Sequence, residues 1–399
     1  MSMVNVSDII IVGGGIGGLA AALSIQETGK SVAIFEQAPE FGEVGAGIQL
    51  APNALEVLDR LGVKEEILKH VVLPKRLVLK DVYTAKELAT LDLGEGFQNE
   101  FGQPYIVLHR SDLHRALYEA CQKSGNITFF TNQTIQTAEQ NGDIVTIVNQ
   151  NGETFIAEAV IGADGVKSNM RKQLVDDKPV NSAYVAYRGT IPIEEVSNNA
   201  NLDLDDVIMW IGPNLHMVQY PVRRGELYNQ VVVFKSYDAT VEDWGTPEEM
   251  ARRFENCHPK VENALTYINR QFRWQMYDRE PIENWTNGNI TLLGDSGHAM
   301  LQYLAQGGVQ ALEDAFVLGE KLKEHKTYEE AFKAYQEIRI PRSAMVQGSA
   351  RRWGEIIHAE DPTALALRNF IFEQHKPTDY NVVDFLYGYF KKNYQRVDC

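Results

Sequence analysis

The chain has 399 residues, 44% of them hydrophobic, with 38 Lys and Arg against 54 Asp and Glu for a formal charge of −16 at pH 7. That length buries one large core or two smaller ones, and two lobes are the expectation. The acidic balance excludes non-specific nucleic-acid binding, which depends on Lys and Arg neutralising phosphates, and an anionic ligand would need local positive charge.

In chain order, Asp8 to Val12 reads as a short apolar strand running into Gly13, Gly15 and Gly18 at G-x-G-x-x-G spacing, with helical apolar repetition from Leu19 to Ile25. A second strand, Ser31 to Phe35, ends at Glu36. There an acidic side chain can accept hydrogen bonds from an adenosine ribose, so strand, loop, helix and acid together predict a dinucleotide site. A glycine-rich loop, Gly42 to Gly47, precedes a helix from about Pro52 to Leu61 and strands at Arg76 to Tyr83 and Lys86 to Asp92. A helix from Ser111 to Lys123 takes Ser111 as its N-cap. Ile127 to Asn149 then suggests a meander of strands.

Phe155 to Ile161 is a further apolar strand leading into Gly162, Asp164 and Gly165, with Arg171 on the helix or turn beyond. The alternating, aromatic-bearing segments from Ala183 to Phe234 are the candidates for a second, sheet-based lobe. From Ile290 the chain returns to the first lobe through a strand ending at Asp295, a polar loop, and a helix entered through Gly307 and Gly308. The carboxylate at the strand's end and the glycines at the helix start predict a cradle for a flat, electron-rich ligand. After Tyr328 the pattern is helical, and the aromatic segment Phe385 to Tyr394 reads as core or dimer packing.

Cys121, Cys257 and Cys399 are far apart and match neither a metal-binding spacing nor an even disulfide set, so no metal is expected and a reducing, cytoplasmic compartment is. No run approaches the roughly 18 apolar residues that span a bilayer, and the start reads as a strand without a charged leader.

Three motifs now stand in order: Gly13, Gly15 and Gly18 with Glu36; Gly162-Ala163-Asp164-Gly165 followed by Ser168 and Arg171; and Gly294-Asp295. Together they resemble the class A flavoprotein aromatic hydroxylases, single-component FAD monooxygenases that include salicylate and hydroxybenzoate hydroxylases. The resemblance implies that the first motif binds the ADP half of FAD and that Asp164 lies near the pyrophosphate and the nicotinamide approach. It further implies that Asp295 holds the ribityl and pyrophosphate region, with Gly307 and Gly308 near the flavin, and that Arg110 lies near the cofactor. Family members often read Asp-Ala-Ala-His-Pro in the third motif, where this chain has Asp295-Ser296-Gly297-His298-Ala299. Losing the proline predicts a less constrained loop.

The stretch from Trp210 to Pro221, with Asn229-Gln230-Val231, Ala186 to Thr190 and Leu301 to Ala305, resembles the subgroup containing 3-hydroxybenzoate 6-hydroxylase. That resemblance implies phenol-contacting roles for His216, Tyr220 and Gln302. His216 and Tyr220 share a strand face roughly 13 Å apart on an ideal extended chain, at opposite ends of a pocket or converging if the sheet curves. Pro221 argues against a fully paired central position just there.

The implied fold is mixed α/β and α+β, para-hydroxybenzoate-hydroxylase-like: a Rossmann-like FAD-binding lobe (1–75, 100–175 and 286–345), a β-sheet substrate lobe (76–99 and 176–285) and a C-terminal helical segment (346–399). The implied reaction uses a transient NADH or NADPH and O2 to hydroxylate a phenolic acid through a flavin hydroperoxide. The best match is 3-hydroxybenzoate hydroxylated at position 6, para to its hydroxyl. His216, with an ordinary pKa near 6.5, would take the phenol's proton near neutral pH. Backbone amides, a Tyr or a nearby Arg such as Arg188 would counter a carboxylate. The C-terminal helices suggest a homodimer. Alternatives are a same-fold flavoenzyme acting on a larger polycyclic or quinone-like compound, a flavin reductase or oxidase, and a non-catalytic FAD-binding interaction protein.

Overall fold

Uninterrupted runs of Ile, Val and Ala can bury both faces of a strand, and this chain uses them for a parallel sheet. The structure, a computed structural model, describes residues 4–42, 45–197, 203–237 and 244–394. In it Ile9–Val12, Val32–Phe35, Ile127–Phe130, Ala159–Gly162 and Ile290–Leu292 pair in parallel, with the short strand Thr286–Asn287 antiparallel at one edge. Ile9, Ile10, Ile11, Val160 and Ile161 are fully buried. The helices Ile16–Gln26, Arg110–Lys123 and Gly307–Glu324 pack together against this sheet.

A separate seven-stranded sheet runs in the order Trp274–Asp278, Val180–Pro192, Leu227–Lys235, Leu215–Val222, Asp206–Gly212, Arg76–Asp81, Glu87–Asp92. One pair is parallel, Asp206–Gly212 beside Arg76–Asp81, and the rest are antiparallel. A small ladder of Gly47–Leu50 with Ile106–His109 packs the first region against this sheet, through the contact of Ile106–His109 with Leu215–Val222. The helix Tyr328–Ile357 carries Pro341 internally, and Pro362–Gln374, Asn381–Tyr387 and Tyr389–Asn393 follow it. In the aromatic segment Leu386, Tyr387 and Phe390 are buried, and Tyr387 meets the rings of Phe97, Phe101 and Tyr105.

Local expectations change in five places. The apolar run at Phe155 to Ile161 divides at Glu158: Thr154–Ala157 joins a small sheet with Val4–Asn5, Ile144–Asn149 and Ile135–Asn141, and Ala159–Gly162 enters the parallel sheet. The Ile127 strand likewise belongs to the parallel sheet rather than to the meander. Helix Arg110–Lys123 is preceded by His109 at its N-cap, and the Ser111 hydroxyl instead meets His109 Nδ1 at 2.6 Å. The strand before Asp295 ends at Leu292, and Asp295 opens the short helix Asp295–His298. Pro221 does sit in a central strand, paired with Tyr228, but the ladder to the other neighbour begins only at Ile208 opposite Gln219. Its missing N–H therefore costs no sheet bond on that side. The glycine-rich loop predicted at Gly42 to Gly47 includes two positions, 43 and 44, outside the described residues.

Candidate active site

Five glycines and one isoleucine, Gly13 to Gly18, leave the first strand, and the glycines do different work. Gly13 has φ +114°, and a Cβ there would lie 2.2 Å from the Ala163 carbonyl oxygen, so only glycine fits. A Cβ on Gly18 would lie 2.0 Å from the Gly13 oxygen, which is how the helix starts tight against the loop. Gly15 and Gly17 are the ones that line the main cavity. Helix Ile16–Gln26 begins there with no side-chain cap, leaving first-turn N–H groups for an anion.

Glu36 holds this loop: one carboxylate oxygen accepts the Gly14 N–H at 2.8 Å and the other accepts the Ala38 N–H at 2.8 Å. Phe41 lies over Gly14, where a Cβ would meet its ring at 2.3 Å. His114 bonds the Gly14 oxygen at 2.8 Å from one helical turn past Arg110, and Arg110 itself lines the cavity. Sequence reading missed Gly14, Gly17 and His114; the i, i+4 spacing from Arg110 was the available signal for His114.

The second and third motifs are bound to each other. Asp164 turns its carboxylate to the start of helix Asn169–Lys172, accepting the Asn169 N–H at 2.7 Å and the Ser168 hydroxyl, while its neighbours Ala163 and Gly165 face the cavity. Burial pushes its carboxyl above the ordinary value, and these hydrogen bonds pull it back. Arg171, fully buried, pairs with Asp177 at 2.7 Å and donates to the carbonyls of Ser296 and Gly297 at 3.2 and 2.7 Å. The Ser296 hydroxyl lies 2.5 Å from the Gly162 oxygen. The loop expected to be loose for want of proline is thus held by side-chain bonds instead.

Beneath it lies a buried ionic cluster. Arg339 meets Asp314 and Glu313 at 2.6 Å each, Arg342 meets Glu313 at 3.1 Å, and His298 meets Asp314 at 2.6 Å. Asp314 also accepts the N–H of Gly294, whose φ of +67° turns the chain into Asp295. Asp295 itself is exposed in the cavity, with Gly307 and Gly308 at the uncapped start of helix Gly307–Glu324.

This cavity has a volume of about 1120 Å³ and runs from Gly15 and Gly17 past Asp295 and Gly307 to His216, Tyr220 and Gln302. His216, Val218 and Tyr220 line it from one face of strand Leu215–Val222, while Leu215 and Met217 enter the core on the other. Both ends of the His216 to Tyr220 span therefore reach one continuous space. Gly47, missed as a site residue, lets the chain cross Tyr220: a Cβ there would meet that ring at 2.6 Å, and its N–H donates to Asn229 Oδ1 at 2.7 Å. Burial pushes the Tyr220 phenol above its ordinary value, with Gln49 and Arg188 opposing, so Tyr220 stays a donor. Arg188 lines the same space with its guanidinium 4.2 Å above the Trp274 ring.

His216 departs from the expectation of titration near neutral pH. Its ring is buried, its Nδ1 lies 2.7 Å from His358 Nε2, and burial pulls its pKa down to about 3. It is a neutral imidazole with one nitrogen, Nε2, left for the cavity. His358 was not singled out by sequence reading, because nothing in the spacing links it to a residue 142 positions away.

Two uncapped helix starts, glycines where a Cβ would intrude, and a long cavity between them suit a dinucleotide bearing a flat ring. The chain matches the FAD binding domain family over residues 6–349. It belongs to the class A FAD-dependent aromatic hydroxylases. It is 39% identical to a 3-hydroxybenzoate 6-hydroxylase of Polaromonas naphthalenivorans, covering 96% of each chain, and 37% identical to one of Klebsiella oxytoca, covering 98% of this chain and 99% of that one. Among solved structures it resembles Klebsiella pneumoniae HpxO complexed with FAD and uric acid, with a TM-score of 0.81 and 22% identity over 92% and 93% of the two chains. The mixed α/β fold of the FAD hydroxylases is therefore that of this enzyme. FAD is its cofactor and a reduced nicotinamide its co-substrate.

Proposed function

We propose that this hydroxylase acts on 3-hydroxybenzoate and places the new hydroxyl at position 6, para to the existing one. The observation that carries this reading is that His216, Tyr220, Gln302 and Arg188 line one cavity with the glycines and Asp295 of the cofactor cradle. The names of the two relatives are the support for the substrate.

When bound, FAD supplies electrons from the nicotinamide to dioxygen and delivers an oxygen atom to the ring. Gly13, Gly15 and Gly18 with Glu36 would hold its adenosine and diphosphate end, and Arg110, Asp295, Gly307 and Gly308 its ribityl and ring end. Asp164 acts through the helix it caps. Neutral His216 presents a lone pair at Nε2 that accepts the phenol O–H, and electron density pushed into the ring by that bond falls ortho and para to the hydroxyl. Tyr220, held as a donor, and the exposed amide of Gln302 orient the substrate, while Arg188 supplies the positive charge that an acidic chain must place locally for a carboxylate. Val207, Met209, Val218 and Val231 line the space and exclude water.

This reading takes the FAD lobe as 1–75, 100–175 and 286–345 and the substrate lobe as 76–99 and 176–285, following the memberships of the two large sheets. It takes the assembly as a homodimer through the helices of 346–399, where Leu367, Phe370 and Ile371 are each about 60% exposed. It takes the compartment as the cytoplasm: Cys121 and Cys257 are free, and among the described residues no helix is long and apolar enough to cross a membrane.

The test is a panel of mono- and dihydroxybenzoates scored for stimulated NADH and NADPH oxidation and for product mass and ring position. The expected result is one added oxygen on 3-hydroxybenzoate at position 6. His216→Ala should abolish oxygen insertion with FAD retained, and Tyr220→Phe and Gln302→Ala should raise uncoupled peroxide release. Full coupling in His216→Ala would remove His216 from the chemistry.

A further inference from the structure

We propose that His358 is a positioning residue for His216, accepting the hydrogen bond from His216 Nδ1–H so that the His216 Nε2 lone pair points to the bound phenol. The proposal rests on the assignment of His216 as the phenol's acceptor. Its geometry is a 2.7 Å contact between His216 Nδ1 and His358 Nε2, with the ring centroids 4.9 Å apart and the ring planes 26° from parallel, the edge-to-edge arrangement of an N–H···N bond.

Two nitrogens that close cannot both carry hydrogen, so one imidazole donates and the other accepts. Burial pulls the pKa values of both histidines far down, so each carries one proton and the choice of tautomer is joint. If His358 accepts, His216 is protonated at Nδ1 and bare at Nε2; if His358 donates, His216 Nε2 carries the hydrogen and cannot take one from a phenol. When the phenol O–H donates to His216 Nε2, the Nδ1–H donates on to His358, and the two bonds in series draw electron density toward the phenol oxygen. No covalent bond breaks: each proton stays on its own atom.

His358 is itself held from all sides. Tyr184 stacks on it at 4.6 Å, Tyr303 meets both histidine rings edge-on at 5.6 and 5.1 Å, and its carbonyl accepts the Asn214 N–H at 3.0 Å. The charged groups facing the pair are Lys235, which disfavours a cation on His358, and Glu360, which holds Asn214 at 2.6 Å. Its backbone N–H caps the helix Tyr328–Ile357, a role that any side chain leaves in place.

The experiment compares the purified holoenzyme with His358→Gln, whose amide oxygen can accept from Nδ1–H, and His358→Leu, which fills the space without an acceptor. Each is titrated with 3-hydroxybenzoate while ultraviolet difference absorbance follows ionisation of the bound phenol against pH, and 15N-histidine NMR reads the His216 tautomer. Expected are an Nδ1–H tautomer in the parent and in His358→Gln, and in His358→Leu a bound-phenol pKa raised by about one unit with kcat for oxygenation down roughly tenfold. An Nε2–H tautomer in the parent, or a His358→Leu enzyme matching the parent in phenol ionisation and kcat, overturns the proposal. A parent that neither binds 3-hydroxybenzoate nor oxidises nicotinamide in its presence would instead defeat the substrate assignment, while the NMR tautomer still tests the histidine pair.

Discussion

Replacing Arg339 with Met removes the centre of the buried ionic cluster while keeping most of the side chain's volume. The guanidinium is fully buried and donates to Asp314 at 2.6 Å, to Glu313 at 2.6 Å, and to the Gln310 carbonyl and side-chain oxygens at 3.2 and 2.8 Å. With Arg342 and His298 it surrounds two carboxylates; without it those two buried groups keep only Arg342 and His298. Breaking such a buried pair from one side costs about 3–5 kcal/mol, against a total stability of about 5–15 kcal/mol. The cost depends on pH in a defined direction. Burial raises both carboxyls, but His298 and Arg339 at Asp314, and Arg339 and Arg342 at Glu313, hold them below their ordinary values. Stability from a depressed carboxyl is present above its unfolded pKa of about 4 and is lost as pH falls through the folded value. The gap between parent and Arg339→Met is therefore widest near pH 7 and closes below about pH 4. Urea unfolding of the apoprotein at pH 7 and pH 5 reads the gap, and FAD retention on gel filtration reads the Gly294 turn that Asp314 anchors at 2.8 Å. A loss below about 1 kcal/mol at pH 7 refutes the reasoning, because it means the cluster bears no uncompensated charge.

The two depressed histidines act in another window. With folded values of about 3 for His216 and about 2 for His358, the unfolded chain takes up protons below about pH 6.5 while the native chain does not, so stability falls with acidification by about 1.4 kcal/mol per pH unit for each. A His216→Asn, His358→Gln double variant should flatten the slope between pH 6 and pH 4, and an unchanged slope contradicts the burial argument. Gly18→Ala sets a Cβ 2.0 Å from the Gly13 oxygen, so it should cost about 1–3 kcal/mol and yield protein largely stripped of flavin; a fully yellow variant would exclude that crowding. Arg188→Met should raise KM for 3-hydroxybenzoate about 10- to 100-fold, the worth of a charge-assisted bond, and leave neutral 3-hydroxybenzyl alcohol within twofold. Equal effects on both ligands would assign the carboxylate elsewhere.

The backbone geometry of the candidate cradle was legible along the chain because its strand, loop and helix start are local. Strand, glycines, helix start and acid lie within Ile9 to Glu36, so their order and spacing show in one short stretch, although the close approach of Ala163 that excludes a Cβ at Gly13 comes from far along the chain. The Asp295 turn and the helix beginning at Gly307 were readable for the same reason. Sequence also fixed which face of the strand Leu215–Val222 carries His216 and Tyr220, since strand periodicity is intrinsic to the pleat. Tertiary packing decided the rest. Splitting the run at Glu158 between two sheets, holding the Asp295 loop by Arg171 and Ser296, and setting His358 behind His216 all join residues far apart in sequence. The protonation state of His216 belongs to this second group, because desolvation is a property of what surrounds an imidazole after folding, and no neighbour in the sequence carries it.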